Sequence, residues 1–482
     1  MEHPIEVQNR LLIDLINKAK NTEWGNKYQY ESIIYPYQFS ERVPLQDYES
    51  LKPYITRMMS GEKDILWGGR IEWFSKSSGT TSDKSKYIPV SAENLKECHI
   101  RGSWDTMTFF YDQRKDAKQF ECKNLLMGGS FKPYSRNEMT KIGDVSAIMI
   151  HNMPRVAYPF ITPGFEVALL DDFEEKIVKM AEIVSKEKDL VTIGGVPTWT
   201  IVLFKKILEL TGKDNMLEVW PNLQAYIHGG VSFLPYREQF RKYLPSDSIS
   251  YIEVYNASEG FFAAMNDIRS DDMLLLLDNG VYYEFVPMAE WKGRKSKAIP
   301  LEEVEVGKNY AVVISTNSGL WRYIIGDTVE FTAVKPYKIK ITGRTKQFIN
   351  AFGEEVMVHN TDKAIAITCN QTGAVVSEYT AAPIFLNGSG KGGHEWLIEF
   401  EKQPGSVHKF SALLDSNLQK LNSDYEAKRY RDLALMQLIM HPVPSGTFYN
   451  WLKAKKKYGG QHKVPRLSNN RDYLEEILKF AK

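Results

Sequence analysis

Three things are scarce in this sequence, and each scarcity narrows its function. Among 482 residues only Cys98, Cys122 and Cys369 are cysteine, odd in number and far apart. Neither a disulfide framework nor a metal-ligand spacing can be built from them, and such usage fits a reducing compartment. Charge of one sign is also missing, with 61 Lys+Arg against 60 Asp+Glu. A protein that lives on nucleic acid shows a basic excess, so no nucleic-acid partner is expected, although a local basic site for a small anion is allowed. The third absence is of long apolar runs. None reaches the roughly 20 residues of a membrane span. Asp14 and Asn17 interrupt the amphipathic opening segment where a signal peptide needs continuity. The expectation is a soluble cytoplasmic protein with no membrane attachment.

What the chain has in quantity is aromatic and apolar bulk. Hydrophobic residues make up 43% and aromatics 12%, which argues against disorder and for a sizeable core. At this length two domains, or a large and a small one, are expected. Helical periodicity is clear over residues 4–20, 174–186 and 198–210. Strand-like runs repeatedly end in polar, glycine-containing loops. Leu223–Ile227 leads to His228-Gly229-Gly230, Tyr251–Tyr255 to Asn256–Gly260, and Tyr310–Ser315 to Thr316–Gly319. Strands that alternate with helices and end this way describe an α/β sheet with a binding edge. From Asp272 the strands become denser, predicting a β-rich subdomain. A boundary falls at Gly343–Lys346, dividing the chain into residues 1–345 and a small α+β domain of residues 346–482.

Four segments carry groups with chemical potential. Trp73–Lys86 runs from an apolar strand into the loop Ser77-Ser78-Gly79-Thr80-Thr81, followed by Lys84 and Lys86. Backbone N–H groups, hydroxyls and an ammonium all donate to anionic oxygen and suit a polyphosphate. The loop lacks the Walker A spacing, and a solvated Ser/Thr turn explains it equally well. In Tyr255-Asn256-Ala257-Ser258-Glu259 the carboxylate can hold magnesium beside substrate phosphates, or can be a surface glutamate at a turn. Asp327, after Gly326, can accept two ribose hydroxyls or sit in an ordinary β-turn. Lys463, beyond Gly459-Gly460, can be a mobile cation or part of the basic face that begins at Lys453.

In this order and spacing the segments resemble the acyl-acid amido synthetases of the auxin-responsive Gretchen Hagen family. That family belongs to the adenylate-forming superfamily of acyl-coenzyme A synthetases, peptide-synthetase adenylation domains and firefly luciferase. Its three nucleotide motifs, approximately S-S-G-T-[ST]-x-G-x-x-K, Y-x-[AS]-S-E and Y-R-x-G-D, correspond to Ser77–Lys86, Tyr255–Glu259 and Tyr323–Asp327. The Q-x-K-x-P-R element corresponds to Gln461–Arg466. Similarity to the bacterial branch extends through Gly195–Trp199, Trp220–Asn222, His228–Phe233 and Asn350–Glu355, so it spans nearly the whole chain.

The resemblance implies a large adenylate-forming domain, with mixed sheets flanked by helices and a β-rich part, and a small mobile lid domain. It implies ATP and Mg²⁺ as cofactors, and a small carboxylic acid and an amine, usually of an amino acid, as partners. Ser77, Ser78, Gly79, Thr80, Thr81 and Lys86 would cradle the phosphates. Tyr255 and Asn256 would meet the nucleotide, Ser258 the α-phosphate, Glu259 the metal and Asp327 the ribose. Arg344 would reach the ribose or phosphate, Lys346 would be the hinge, and Lys463 would be delivered to the α-phosphate. Two departures stand out: Asp83 replaces the second glycine of the phosphate loop, and Ile324 replaces the arginine of plant members. An acyl-coenzyme A ligase, or a non-catalytic nucleotide or acyl-ligand binder, would share the same fold. No motif marks the acid-binding residues, which are expected within Leu126–Pro133, His151–Ala157 and Trp199–Phe204.

Overall fold

A computed structural model of the chain describes all residues except 1, 78–85, 231, 232, 234, 235, 346, 350–353, 355, 388–390, 430–434, 456–463, 469 and 482. Two compact units emerge. The first comprises Met1–Val231 and Tyr243–Lys340; the second comprises Ser232–Lys242 and Ile341–Lys482. The chain therefore passes between them at 231/232, 242/243 and 340/341.

The first unit is built on a twelve-stranded sheet and a four-stranded one. One half of the large sheet is parallel. Lys123–Leu126 pairs with Leu190–Gly194, which pairs with Ala225–Gly229, which pairs with Ser250–Ala257, all in one direction. Leu125, Leu190, Val191 and Ile193 are fully buried, as expected for parallel strands covered on both faces. Helices Phe173–Val184 and Pro197–Thr211 connect them. The Asp172 side chain caps the first by accepting from the Glu175 N–H. Pro197 opens the second and Gly212, at φ +66°, closes it. From Gly260 onward the pairing turns antiparallel through Gly260–Ala264, Met273–Leu275, Val281–Pro287, Asn309–Thr316 and Tyr323–Val334. This is the β-rich part that the strand density predicts.

In the second unit, Val375–Asn387 and Lys391–Lys402 form a long antiparallel pair, and Ile439–Val443 adds in parallel. Helices Val358–Thr372 and Val407–Leu421 contribute Ala364, Ile365, Phe410 and Leu414 to a core shared with Tyr379, Trp396 and Phe400. The molecule is thus a mixed α/β protein with a large N-terminal part and a smaller α+β part. Among the described residues no helix is long and apolar enough to cross a membrane.

Candidate active site

Because the four neighbouring strands are parallel, their C-terminal ends lie along one edge. That edge carries Met127-Gly128-Gly129, Gly194-Gly195-Val196, His228-Gly229-Gly230 and Asn256–Glu259. The carboxyl edge of such a sheet is where loops diverge and ligands enter. Gly229 is required there by packing, since a Cβ would lie 2.5 Å from the Val254 carbonyl oxygen.

The second motif forms a hairpin at this edge. Strand Ser250–Ala257 turns through Ser258-Glu259 into Gly260–Ala264, with Ala257 opposite Gly260. Hairpin tips ordinarily face water. This one is buried, with Ser258 5% and Glu259 6% exposed. The Tyr255 ring packs edge-on against Phe262 at 4.9 Å. Its phenol donates a hydrogen bond of 2.9 Å to Asp327 Oδ2. Asp327 lies within strand Tyr323–Val334, just after Gly326 at φ +95°. There the register against Asn309–Thr316 slips between Ala311 and Val313. The bulge re-aims the aspartate, a common use of such irregularities. The second and third motifs, 72 residues apart in sequence, are thereby joined.

The phosphate-loop motif begins and ends on a β ladder. Ser77 and Lys86 stand directly opposite one another on strands Trp73–Ser77 and Lys86–Val90. Ser78, Gly79, Thr80, Thr81 and Asp83 lie outside the described residues. The Lys86 ammonium sits 5.7 Å from the centre of the Tyr48 ring. Burial pushes the Tyr48 phenol up to about 12, so it stays neutral, and its oxygen accepts from the Tyr87 N–H at 2.9 Å.

Asn256 donates weakly to Met149 Sδ at 3.6 Å and faces His99. That histidine is fully buried, and desolvation lowers its pKa to about 4 despite the Asn256 contact. Ile324, where plant members carry arginine, packs against the cluster of Leu45, Val286, Ala311 and Val313. Arg344 ends strand Tyr337–Arg344 and belongs to the second unit, where its carbonyl accepts from the Gln347 N–H at 3.0 Å. Lys346 and Lys463 lie outside the described residues. Arg466, three residues beyond Lys463, is partly buried in the second unit. It donates to the Tyr236 hydroxyl at 2.9 Å, pairs with Glu378 at 3.2 Å and stacks on Tyr379 at 4.5 Å.

Among the described residues no group of three or more His, Cys, Asp or Glu converges as a metal site. One buried carboxylate at the edge, Glu259, nonetheless fits magnesium, which takes one or two protein carboxylates and completes its shell with phosphate and water.

Lys176 and Asp144 have no counterpart in the motif reading. Lys176 is 5% exposed, and its Nζ donates to the carbonyls of Gly128 and Gly129 at 2.8 and 3.0 Å. Burial lowers its pKa to about 8, opposed by Asp144 and Asp171. The available signal was its place on the apolar stripe of its helix, in register with Met180 and Val184, where an ammonium needs partners.

The fold defines the class. A solved acyl acid amido synthetase, GH3.15, matches 98% of this chain and 93% of its own, with TM-score 0.79 at 15% identity. A 2-hydroxyisobutyryl-CoA ligase in the postadenylation state covers 99% and 92%, with TM-score 0.64 at 12% identity. The chain shares the fold of both enzymes. By sequence it belongs to the GH3 family. Models of the family's N-terminal, central and C-terminal domains match residues 1–249, 274–344 and 359–472. An indole-3-acetic acid-amido synthetase of Arabidopsis thaliana, GH3.3, is 24% identical over 95% of this chain and 89% of its own length.

Proposed function

We propose that this chain is an ATP-dependent ligase that joins a small carboxylic acid to the amine of an amino acid. In the first step an acid carboxylate oxygen attacks the α-phosphorus of ATP. The acyl–O–P bond forms, the bond to the β-phosphate breaks, and pyrophosphate leaves. In the second step the amine nitrogen attacks the acyl carbon, the amide bond forms, AMP departs and the nitrogen loses a proton. No protein nucleophile is needed, so catalysis rests on alignment and charge stabilisation.

The roles follow the chemistry of the groups. Ser77–Thr81 and Lys86 hold the phosphates, Tyr255 and Asn256 meet the nucleoside, and Ser258 meets the α-phosphate. Asp327 accepts the ribose hydroxyls, Arg344 supports the ribose or phosphate, and Lys463 is delivered to the α-phosphate. Lys346 is the hinge between residues 1–345 and 346–482. Glu259 holds Mg²⁺, which when bound neutralises phosphate charge. The reading is carried by one observation above all: the Tyr255–Asp327 hydrogen bond unites two of the three nucleotide motifs at the carboxyl edge of the sheet.

ATP–pyrophosphate exchange across a panel of monocarboxylic acids tests the first step, and exchange with at least one acid is expected. ATP binding without exchange for any acid would make the chain a binding protein. Supplying either amino acids or coenzyme A to the active pair tests the second step. A thioester product in place of an amide would replace the amido-synthetase reading with that of an acyl-coenzyme A ligase.

A further inference from the structure

We infer that Lys176 is a positioning residue for the acid substrate, holding the Gly128-Gly129-Ser130 turn against which the acyl group is aligned. The inference rests on the adenylating activity proposed above.

The turn follows the first parallel strand directly onto the carboxyl edge. Neither glycine can be replaced without movement. A Cβ on Gly129 would lie 1.9 Å from Asp144 Oδ2, and one on Gly128 would lie 2.6 Å from Ile150 Cδ1. Two successive glycines also lose more chain freedom on folding than any other pair, so a turn built this way needs external restraint.

That restraint comes from several elements. The Met127 N–H donates to the Gly194 carbonyl at 3.1 Å. The Gly129 N–H donates to Ser146 Oγ at 3.0 Å, and the Ser130 N–H to Asp144 Oδ2 at 3.1 Å. Ser130 Oγ donates to Asp171 Oδ1 at 2.5 Å. Both glycine carbonyls accept from the Lys176 ammonium.

An ammonium on the apolar stripe of a helix is costly, and a methionine would fill the space without that cost. This ammonium donates two hydrogen bonds to the turn, while Asp144 and Asp171 supply the compensating charge. Asp144 lies one residue past the ladder in which Gly143 pairs with Ser75, on the strand that leads into the phosphate loop. Lys76 of that strand also bears on Asp144 electrostatically. The turn is thus fixed relative to the root of the phosphate loop. A carboxylate held on it is fixed relative to the α-phosphate.

The test is ATP–pyrophosphate exchange by the full chain, using whichever of benzoate, phenylacetate, indole-3-acetate or octanoate exchanges best. Lys176→Met should raise the KM for the acid about tenfold, the effect of losing a charged hydrogen bond. The KM for ATP should stay within about twofold, and Lys176→Arg should recover part of the loss. Ser146→Ala, which removes a smaller prop from the same turn, should shift the acid KM in the same direction. A purely structural lysine would lower thermal stability and the active fraction while leaving both KM values alone. That result, or a rise in both KM values together, overturns the inference. Should Lys176→Met fail to fold, an unchanged acid KM in Ser146→Ala overturns it alone. Wild-type protein that exchanges with no acid brings down the adenylation reading and this inference together. Exchange with an unmoved acid KM brings down only the role of Lys176.

Discussion

The Tyr255 phenol has one hydrogen bond to donate, and Asp327 accepts it. A donor to a carboxylate contributes more than one to a neutral acceptor, about 1.5–3 kcal/mol. Tyr255→Phe keeps the ring and its contact with Phe262 but leaves the aspartate less restrained. The KM for ATP should rise about tenfold while the acid KM holds; equal losses for both substrates would remove Asp327 from the nucleotide side. His99 makes a second residue-scale prediction. Its folded pKa of about 4 lies below the usual value of about 6.5, so the unfolded chain binds the extra proton first as pH falls. Stability from keeping His99 neutral is complete above pH 6.5 and is lost progressively toward pH 4, by roughly 3 kcal/mol at most. Denaturant melts from pH 7 to 4 should show a shallower acid decline for His99→Gln than for wild type.

Single side chains of this kind were only partly readable in advance. Tyr255 and Asp327 belong to motifs, yet nothing in their spacing says that they touch. Lys176 belongs to none, because its role depends on a turn 47 residues away. At the scale of elements the sequence is more open. The periodicity over 4–20, 174–186 and 198–210 becomes helices Pro4–Ala19, Phe173–Val184 and Pro197–Thr211. The run that ends in Asn256–Gly260 becomes a hairpin, since Gly260 resumes pairing at once. Asp327 proves to lie inside a strand, where a Gly-Asp turn was an alternative; a glycine at positive φ makes a bulge there without ending the ladder.

Arg322, between two aromatics, gave no sequence signal of its own. It is buried, adopts φ +43°, and forms a two-point pair with Glu284 at 2.9 and 2.7 Å. It also donates to the Ser40 and Val43 carbonyls, each at 2.7 Å, tying the sheet to the N-terminal helices. Arg322→Met strands the Glu284 charge and should cost about 3–5 kcal/mol in urea unfolding; adding Glu284→Leu should recover much of it.

At the scale of the molecule, the second unit is not one continuous stretch. Ser232–Lys242 belongs to it although more than 90 residues of the first unit follow in sequence. Within that unit Tyr236 accepts from Arg466, Gln239 donates to Glu401, and Phe240 is fully buried. A fragment of residues 1–345 would keep this segment and lose its partners. It should bind a hydrophobic dye and aggregate, whereas the full chain stays dispersed in light scattering; a monodisperse fragment would show that the segment needs no partner. Composition and periodicity carry no trace of this arrangement, because partners chosen across 162 and 230 residues leave no local pattern.

The three passages of the chain between the units also set a clock. When Lys242 has been synthesised, 240 residues up to Lys482 are still to come. At about 5–20 residues per second this is a wait of roughly 10–50 seconds. Throughout it Tyr236 and Gln239 lack their partners Arg466 and Glu401, which lie 230 and 162 residues further along the chain. During translation the nascent protein therefore carries an aromatic segment available to chaperones until those later partners have been made.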